Sequence, residues 1–538
     1  MSPLICAFVL GYHHLSNGDI WWGLAEGRQI LEHHHLPTTN TFSYTYPDQG
    51  WTSTQWLFSV LAYLVWSLGG IPGLILTRIG LMIAMVVLLL EFCRDQRVPL
   101  SYAVIGTVLF LATSLFRFTF RAHLMSITFF VWTLFLYHRN RSPSLKRTLV
   151  VYSPLFFLWS NLHSGVVFGL AYLFLQAGLR VLDLLRSRGA TSPALPRQFF
   201  PPLAALAGTL MNFNGLQVFL HPTRHLSLDR VILINEYMPP TFFGTQMMFF
   251  WITTALFLGG TAVLFRRTKW ETAEALPALV FLLLALHYNR IVPYFTLAAL
   301  VYLLPRIPRH HPFTAFRHTW LLHTILAYLI ILAPLFFFGK TSLLEDVPQF
   351  GFGVNQFTLP VGAVQFLEQH PVPDPIFNHF FWGGYLLWRL YPRNAPFIDG
   401  RIPAYPPEFV HTYSLMNTQP QVFYRADSLY HFNALILDHG TFQWDTADSL
   451  DARHWGLVYW DQFGHRIFVR RTEANRAYLE QFEFRLYKQF FSLMKATRLL
   501  TSSDSTTFRT EIIRHNHWAK NPWDSFMIDL LDLQEPLP

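Results

Sequence analysis

Charge is scarce in this chain of 538 residues: Asp, Glu, Lys and Arg together make up 13% of it. Soluble proteins average about 25%. A chain this poor in charge, with 52% hydrophobic residues and a mean hydropathy of +0.27, reads as a polytopic membrane protein. Cysteine is scarcer still. Cys6 and Cys93 are the only two and stand far apart, which excludes a disulfide framework and a cysteine-based metal site. The Walker loop, the dinucleotide fingerprint and the zinc-protease helix signature are missing, and "GFGVNQF" at 351–357 lacks the required pattern. Internal repeats and low-complexity stretches are missing too. The opening "MSPLICAFVLGYHHL" has no basic leading region and no clear small-residue cleavage site. It reads as a clipped or partly embedded first helix rather than a removed signal peptide.

What the chain has in quantity is aromatic residues, 52 Phe, 22 Tyr and 17 Trp, as suits surfaces that meet lipid and its interface. Apolar runs predict helices at roughly 72–92, 100–116, 123–138, 148–160, 164–183, 200–213, 247–265, 276–288, 291–304 and 320–338. Several fall short of the ~20 residues that cross a bilayer, so their ends must run into the flanking loops. With the short first helix, the expectation is an α-helical membrane domain of about eleven transmembrane helices over 1–338.

The basic residues set the orientation. Arg94, Arg97, Arg139, Arg141, Lys146 and Arg147 begin one set of loops, which continues through 180–197, 266–269 and 306–317 to a total of sixteen Lys and Arg. The alternate loops hold six: Arg28, Arg117, Arg121, Arg224, Arg230 and Arg290. The richer set belongs in the cytoplasm. Topology therefore accounts for the net charge of +8, and no nucleic-acid partner is expected. Parity then allows one crossing between the outer loop at 17–55 and the inner one at 91–97, although 56–70 and 71–92 look like two apolar segments. The first is the shorter and ends at Gly69-Gly70 and Pro72. It reads as a helix lying along the outer interface, within a first outer loop of 16–70.

Beyond about residue 340 the spans cease. "PVGAVQFLEQH" (360–370) and "WGGYLLWRL" (382–390) read as helices. "DPIFNHF", "APFIDG" (395–400), "ALILDHG" (434–440), "WGLVYWD" (455–461) and "HRIFVRR" (465–471) read as strands. An amphipathic helix is expected over 472–496. Residues 339–538 thus form a soluble α/β domain, placed by parity outside the cytoplasm.

Ionisable and amide side chains gather at the outer helix ends. They include Asp19 and Glu26, Arg117, Arg121 and His123, Asn161 and His163, Asn212 and Asn214, Glu236, and His287 with Arg290. Such groups are costly in lipid, so as a set they are functional candidates. Taken singly, each reads as a snorkelling interfacial anchor. Asp19 leads them. Gly18-Asp19 stands where a helix cap would, yet Asp19, Gly23 and Glu26 share one helical face and Trp21, Leu24 and Leu31 another. A carboxylate so placed can serve as general base for an acceptor hydroxyl or amine. The arginines can hold a phosphate leaving group through charge-assisted hydrogen bonds. Glu236 is the second candidate acid. The triplet His33-His34-His35 makes a poor metal site, because adjacent helical side chains point in different directions.

The stretches "GDIWWGLAEGRQILEHHHLPTTNTFSYTYPDQGWTSTQWLF", "LWSNLHSG", "TLMNFNG", "EYMPP" and "NHFFWGGYLLWRLYPRNAPFIDGR" resemble those of the GT-C superfamily of membrane glycosyltransferases. That superfamily includes protein O-mannosyltransferases and lipid A aminoarabinose transferases, and the likeness is greatest to a group of bacterial members. It spans nearly the whole chain. The resemblance implies an inverting transfer of sugar from a polyprenyl-phosphate or polyprenyl-diphosphate donor, outside the cytoplasm. It places Asp19 on the family's first-loop acid and Arg78 near an arginine at the outer start of the second span. It also implies an interfacial helix at 56–70. Ile20 follows Asp19 where the family commonly has a second acid, which leaves use of a divalent metal open. "FIDGR" (397–401) reads either as an acceptor-recognition loop or as a strand end at Asp399. The donor is thus a polyprenyl-linked sugar, and the acceptor is a lipid, glycan or protein. The rival readings are a lipid-linked-saccharide transporter, which would want polar groups at mid-membrane, and a non-catalytic assembly factor for envelope glycans.

Overall fold

A computed structural model of the chain describes residues 2–139, 144–188, 196–220, 235–241, 245–266, 274–306, 349–439, 441–442, 450–487, 505–519 and 528. The helix expected at 320–338 and the domain boundary expected at 338 lie outside these residues. The chain divides into two compact units. The first comprises Met1–Leu15, Glu26–Leu36 and Thr52–Gly353, the second Ser16–Ala25, Pro37–Trp51 and Val354–Pro538.

The named elements of the first unit are helices. Its elements are α1 (Ser2–Gly11), the later turns of α2 (Asp19–His33), α3 (Trp56–Asp95), α4 (Leu100–Thr113), α5 (Ala122–Arg139), α6 (Leu145–Leu162), α7 (Val166–Arg188), α8 (Phe200–Leu210), α9 (Thr245–Phe265), α10 (Leu276–Ala285) and α11 (Val292–Leu303). Among the described residues three stretches, Trp56–Asp95, Val166–Arg186 and Met247–Phe265, are long and apolar enough to cross a membrane. Several hydroxyls within the helices are satisfied locally: those of Thr107, Thr128 and Thr296 each donate to the carbonyl four residues back. At Gly70, α3 breaks, with φ 55° and ψ −145°, a conformation open almost to glycine alone. Pro72 follows and removes a further backbone donor. The two apolar segments read from the sequence are the two arms of this kinked helix.

The second unit carries a four-stranded mixed sheet in the order β1-β2-β4-β3. Strand β1 (Ile376–Asn378) pairs in parallel with β2 (Ala434–Asp438), and β4 (His465–Arg470) runs antiparallel to both β2 and β3 (Trp455–Trp460). The strands are buried almost end to end, which suits their near-continuous apolar sequences. Among the described residues six helices accompany them: α12 (Val361–Gln369), α13 (Gly383–Leu390), α14 (Pro407–Met416), α15 (Pro420–Tyr430), α16 (Arg476–Phe482) and α17 (Ser505–Ala519). Residues of the first loop are stitched to this unit's backbone. Tyr44 donates to the Ile376 carbonyl at 2.9 Å, Ser43 to that of Pro396 at 3.1 Å, and Asn40 to that of Ala404 at 3.1 Å.

Two expected elements differ. Residues 395–400 form no strand. The Asn378 side chain replaces a ladder there, accepting from the Phe397 N–H at 2.8 Å and donating to the Ile398 carbonyl at 2.9 Å. The long helix expected over 472–496 is helical only from Arg476 to Phe482, and 488–496 lie outside the described residues. Glu511 of α17 explains the early end. Its buried carboxylate accepts the backbone N–H groups of Arg485, Leu486 and Tyr487, at 2.9, 2.9 and 2.6 Å. Amides turned towards one carboxylate cannot also point along a helix axis.

Candidate functional site

Within the first unit, three turns between helices bring opposite charges together. Leu115–Arg117 is a 3-10 turn after α4, and Asn235–Tyr237 is another. The third, Asn289–Ile291, holds the second through a hydrogen bond from the Asn289 N–H to the Met238 carbonyl at 3.0 Å. Arg117 reaches Glu236 at 2.7 Å, and Arg121 donates to the same carboxylate oxygen. Arg290 donates to the Tyr237 hydroxyl and lies over its ring, 4.7 Å from the centroid. Two guanidinium groups thus share the Glu236 carboxylate and a third holds the neighbouring Tyr237, and Arg117 is almost wholly buried.

Electrostatics fix the states of these groups. Burial by itself would push the Glu236 carboxyl up, but Arg117 and Arg121 outweigh it and hold it well below the usual carboxylate range. Glu236 is therefore a counter-ion and a weak base. The Arg117 guanidinium is lowered by burial first, with Glu236 opposing that effect and Arg121 and Arg290 adding to it. His123 directs Nε2 at the Arg117 carbonyl, so its proton is assigned to that nitrogen. Its Nδ1 is buried and makes no hydrogen bond among the described residues. His163 accepts at Nδ1 from the Gly165 N–H at 3.0 Å, and Ser126 Oγ is 2.7 Å from the same nitrogen.

Other expected residues serve different ends. Asn161 is buried and acts as a cross-link, its Oδ1 accepting from Trp56 Nε1 at 3.0 Å and the Phe213 N–H at 3.2 Å. Asn212 and Asn214 build the turn after α8. His287 is exposed and bonds back to the Leu283 carbonyl at 3.0 Å. Arg78 donates through Nε and an amino nitrogen to the Gly11 carbonyl, at 3.0 and 2.7 Å, and also to the His13 carbonyl. A buried cation thus neutralises the carbonyl end of α1. Glu26 is buried and accepts from Ser53 and Ser59, both at 2.8 Å. His33 ends α2, and His34 takes a left-handed φ of 57° just beyond it.

Asp19 belongs to the second unit. It opens α2, with its N–H donating to the Asn17 side chain at 2.8 Å. A carboxylate in a helix's first turn is favoured by the aligned peptide dipoles. Trp22 Nε1 donates to its Oδ1 at 3.3 Å. Gly400 of the "FIDGR" stretch admits the carboxylate, since a Cβ there would stand 2.4 Å from Asp19 Oδ1. Asp399 is engaged with its own neighbours: Arg401 binds both its oxygens at 3.0 and 2.6 Å, and Tyr405 adds a third donor at 3.0 Å. Arg401 in turn lies over the rings of Phe42 and Trp51. "FIDGR" is thus a rigid buried loop whose glycine seats Asp19.

Sequence reasoning missed Ser126, Trp159 and Tyr237. Hydroxyls and rings within apolar helices carry no charge signal, and only "LWSNLHSG" and "EYMPP" marked the neighbourhood. Among the described residues, no group of three or more His, Cys, Asp or Glu is placed to hold a metal ion. The described fold is a mostly helical protein with three apolar helices of membrane length and a separate small sheet. Compared with known proteins, the chain matches no protein-family model and no curated protein.

Proposed function

We propose that this protein is a polytopic membrane glycosyltransferase of the GT-C type, moving a sugar from a polyprenyl-phosphate or polyprenyl-diphosphate donor to an acceptor outside the cytoplasm. The observation that carries this reading is the meeting of Arg117, Arg121 and Arg290 at the helix-connecting turns of the first unit, around Glu236 and Tyr237. Guanidinium groups held in low dielectric bind phosphate oxygens strongly and do not titrate away. Exposed apolar side chains on the spans, such as Leu68, Leu256 and Phe265, suit contact with lipid.

Roles divide between residues. The acceptor oxygen attacks the anomeric carbon, the bond from that carbon to the phosphate oxygen breaks, and the phosphate leaves with the electron pair. Arg121 and Arg290 are the candidates to receive that charge, and the resemblance to GT-C enzymes supplies Asp19, the first-loop acid, as the candidate base for the acceptor's proton. Inversion needs one displacement and one base, so no covalent nucleophile is required.

The test is transfer of labelled sugar from polyprenyl-phosphate donors by purified protein, with Asp19→Asn and Gly400→Ala beside the wild type. Both variants should keep the fold, and both should lose transfer. For Gly400→Ala the loss should reach about a hundredfold, the cost of displacing a reacting group by roughly an ångström. Full activity in Asp19→Asn overturns the assignment of the base. Phosphate binding without transfer from any donor favours a non-catalytic assembly factor.

A further inference from the structure

The stretch "GFGVNQF" (351–357) fits no phosphate loop, yet its two glycines have a structural use. Residues 349–353 run antiparallel to His13–Leu15, which follow α1. Phe350 bridges to His13, the His14 N–H donates to the Gln349 carbonyl at 2.7 Å, and the Leu15 N–H donates to that of Gly353 at 2.9 Å. Gly351 has φ 120°, a conformation that favours glycine. A Cβ on Gly353 would stand 2.9 Å from His14 Nε2, so the histidine ring lies against bare backbone. His14 also donates from Nδ1 to Gln349 Oε1 at 2.9 Å, since an amide oxygen only accepts. Backbone and side chain together hold this strap, which ends where the chain passes from the first unit to the second.

What it presents outward is aromatic. The exposed Phe352 meets Tyr12 edge-on at 5.1 Å, and Tyr12 stacks on Phe8 of α1 at 5.8 Å. Along α1, Ile5, Phe8 and Val9 are exposed at i, i+3 and i+4, while Cys6 and Ala7 are buried. One apolar face therefore runs from α1 through Tyr12 onto Phe352. Its depth follows from the backbone. The ten residues of α1 span about 15 Å, half of a ~30 Å hydrocarbon core. Non-helical backbone does not face hydrocarbon, so the paired residues beyond α1 belong at the membrane interface. Arg78, on the carbonyls of Gly11 and His13, suits that level, and aromatic side chains favour it. We propose that Tyr12 and Phe352 form an interfacial anchor whose partner is the headgroup–acyl boundary of the bilayer, and that the strap of 349–353, locked by His14, holds it in place. The anchor is independent of glycosyl transfer and requires only that the first unit spans a membrane.

A nitroxide at Phe352→Cys, in the full-length protein in nanodiscs, tests this by its depth. Both native cysteines are buried, so the label reports the introduced thiol. Collisions with oxygen, which dissolves in lipid, are compared with those of a water-soluble nickel chelate. The oxygen-to-nickel ratio should lie between that of Val9→Cys, on the apolar face of α1, and that of Glu473→Cys, whose native side chain is 86% exposed. A ratio equal to that of Glu473→Cys would put the anchor in water. Access to neither reagent would mean that protein covers it, and broadening between labels would mean that a second copy does. Each of these three results overturns the proposal. His14→Ala and Gly353→Val should loosen the strap and move the Phe352→Cys ratio towards the water value. The Val9→Cys ratio should hold, which separates release of the strap from unfolding. An unchanged Phe352→Cys ratio in both variants would remove the lock.

Discussion

Glu236 is shared by Arg117 and Arg121, and its side chain is 20% exposed against 4% for Arg117. Removing one partner of a largely buried ion pair leaves uncompensated charge in low dielectric. Glu236→Gln should therefore destabilise the first unit by about 3 kcal/mol, read as a lower unfolding temperature in detergent. The pH dependence follows from the direction of the shift. Because the folded carboxyl is held below its ordinary value of 4.5, its contribution is complete above that pH. It drains away as pH falls from 4.5 through the depressed folded value. Wild type should lose stability over that interval, and the variant should lose less. Equal melting temperatures at neutral pH would show that the pair is not held as described.

At the scale of elements, the break in α3 depends on a single residue. The backbone of Gly70, at φ 55° and ψ −145°, is closed to a residue with a side chain except at a cost of about 1–3 kcal/mol. Gly70→Ala should lower stability by that amount or straighten the helix, and a spin-label distance between sites near Trp56 and Asp95 would report the straightening. An unchanged distance with unchanged stability would remove the hinge. Glu511 works the opposite way. It ends α16 by offering a carboxylate to three amides at once, where the amphipathic pattern alone would continue the helix.

On the scale of the molecule, the sides of the membrane proposed from the distribution of Lys and Arg can be measured by accessibility. Arg94 and Glu473 have side chains that are 69% and 86% exposed. The two native cysteines are buried and not joined in a disulfide, so background labelling should be low. In sealed right-side-out vesicles, a membrane-impermeant maleimide should label Glu473→Cys. Arg94→Cys should react only after the vesicles are opened. The reverse result would invert the proposed orientation and place the second unit in the cytoplasm.

Hydropathy marked where the described helices of the first unit lie, because an apolar run of that length has few ways to satisfy its backbone except a helix. It also separated the sheet-bearing region, since β2, β3 and β4 are short β-rich runs bounded by turn residues. Gly70 and Pro72 announced the break in α3 for the same local reason: their backbone preferences travel with the residue. Partnership was not legible in this way. Nothing local told that Arg78 would bind the carbonyl end of α1, or that Asn161 would tie α3 to the turn after α8. Nor could composition join Glu236 to Arg117 and Arg121, which precede it by more than a hundred residues, or bring Ser126 to His163 and Trp159. Propensity and burial preference belong to short stretches, so the sequence by itself determined the elements and the kinds of group at their ends. Hydrogen bonds and ion pairs act over about 3 Å between atoms distant in the chain. Only the tertiary structure decided which of those groups meet.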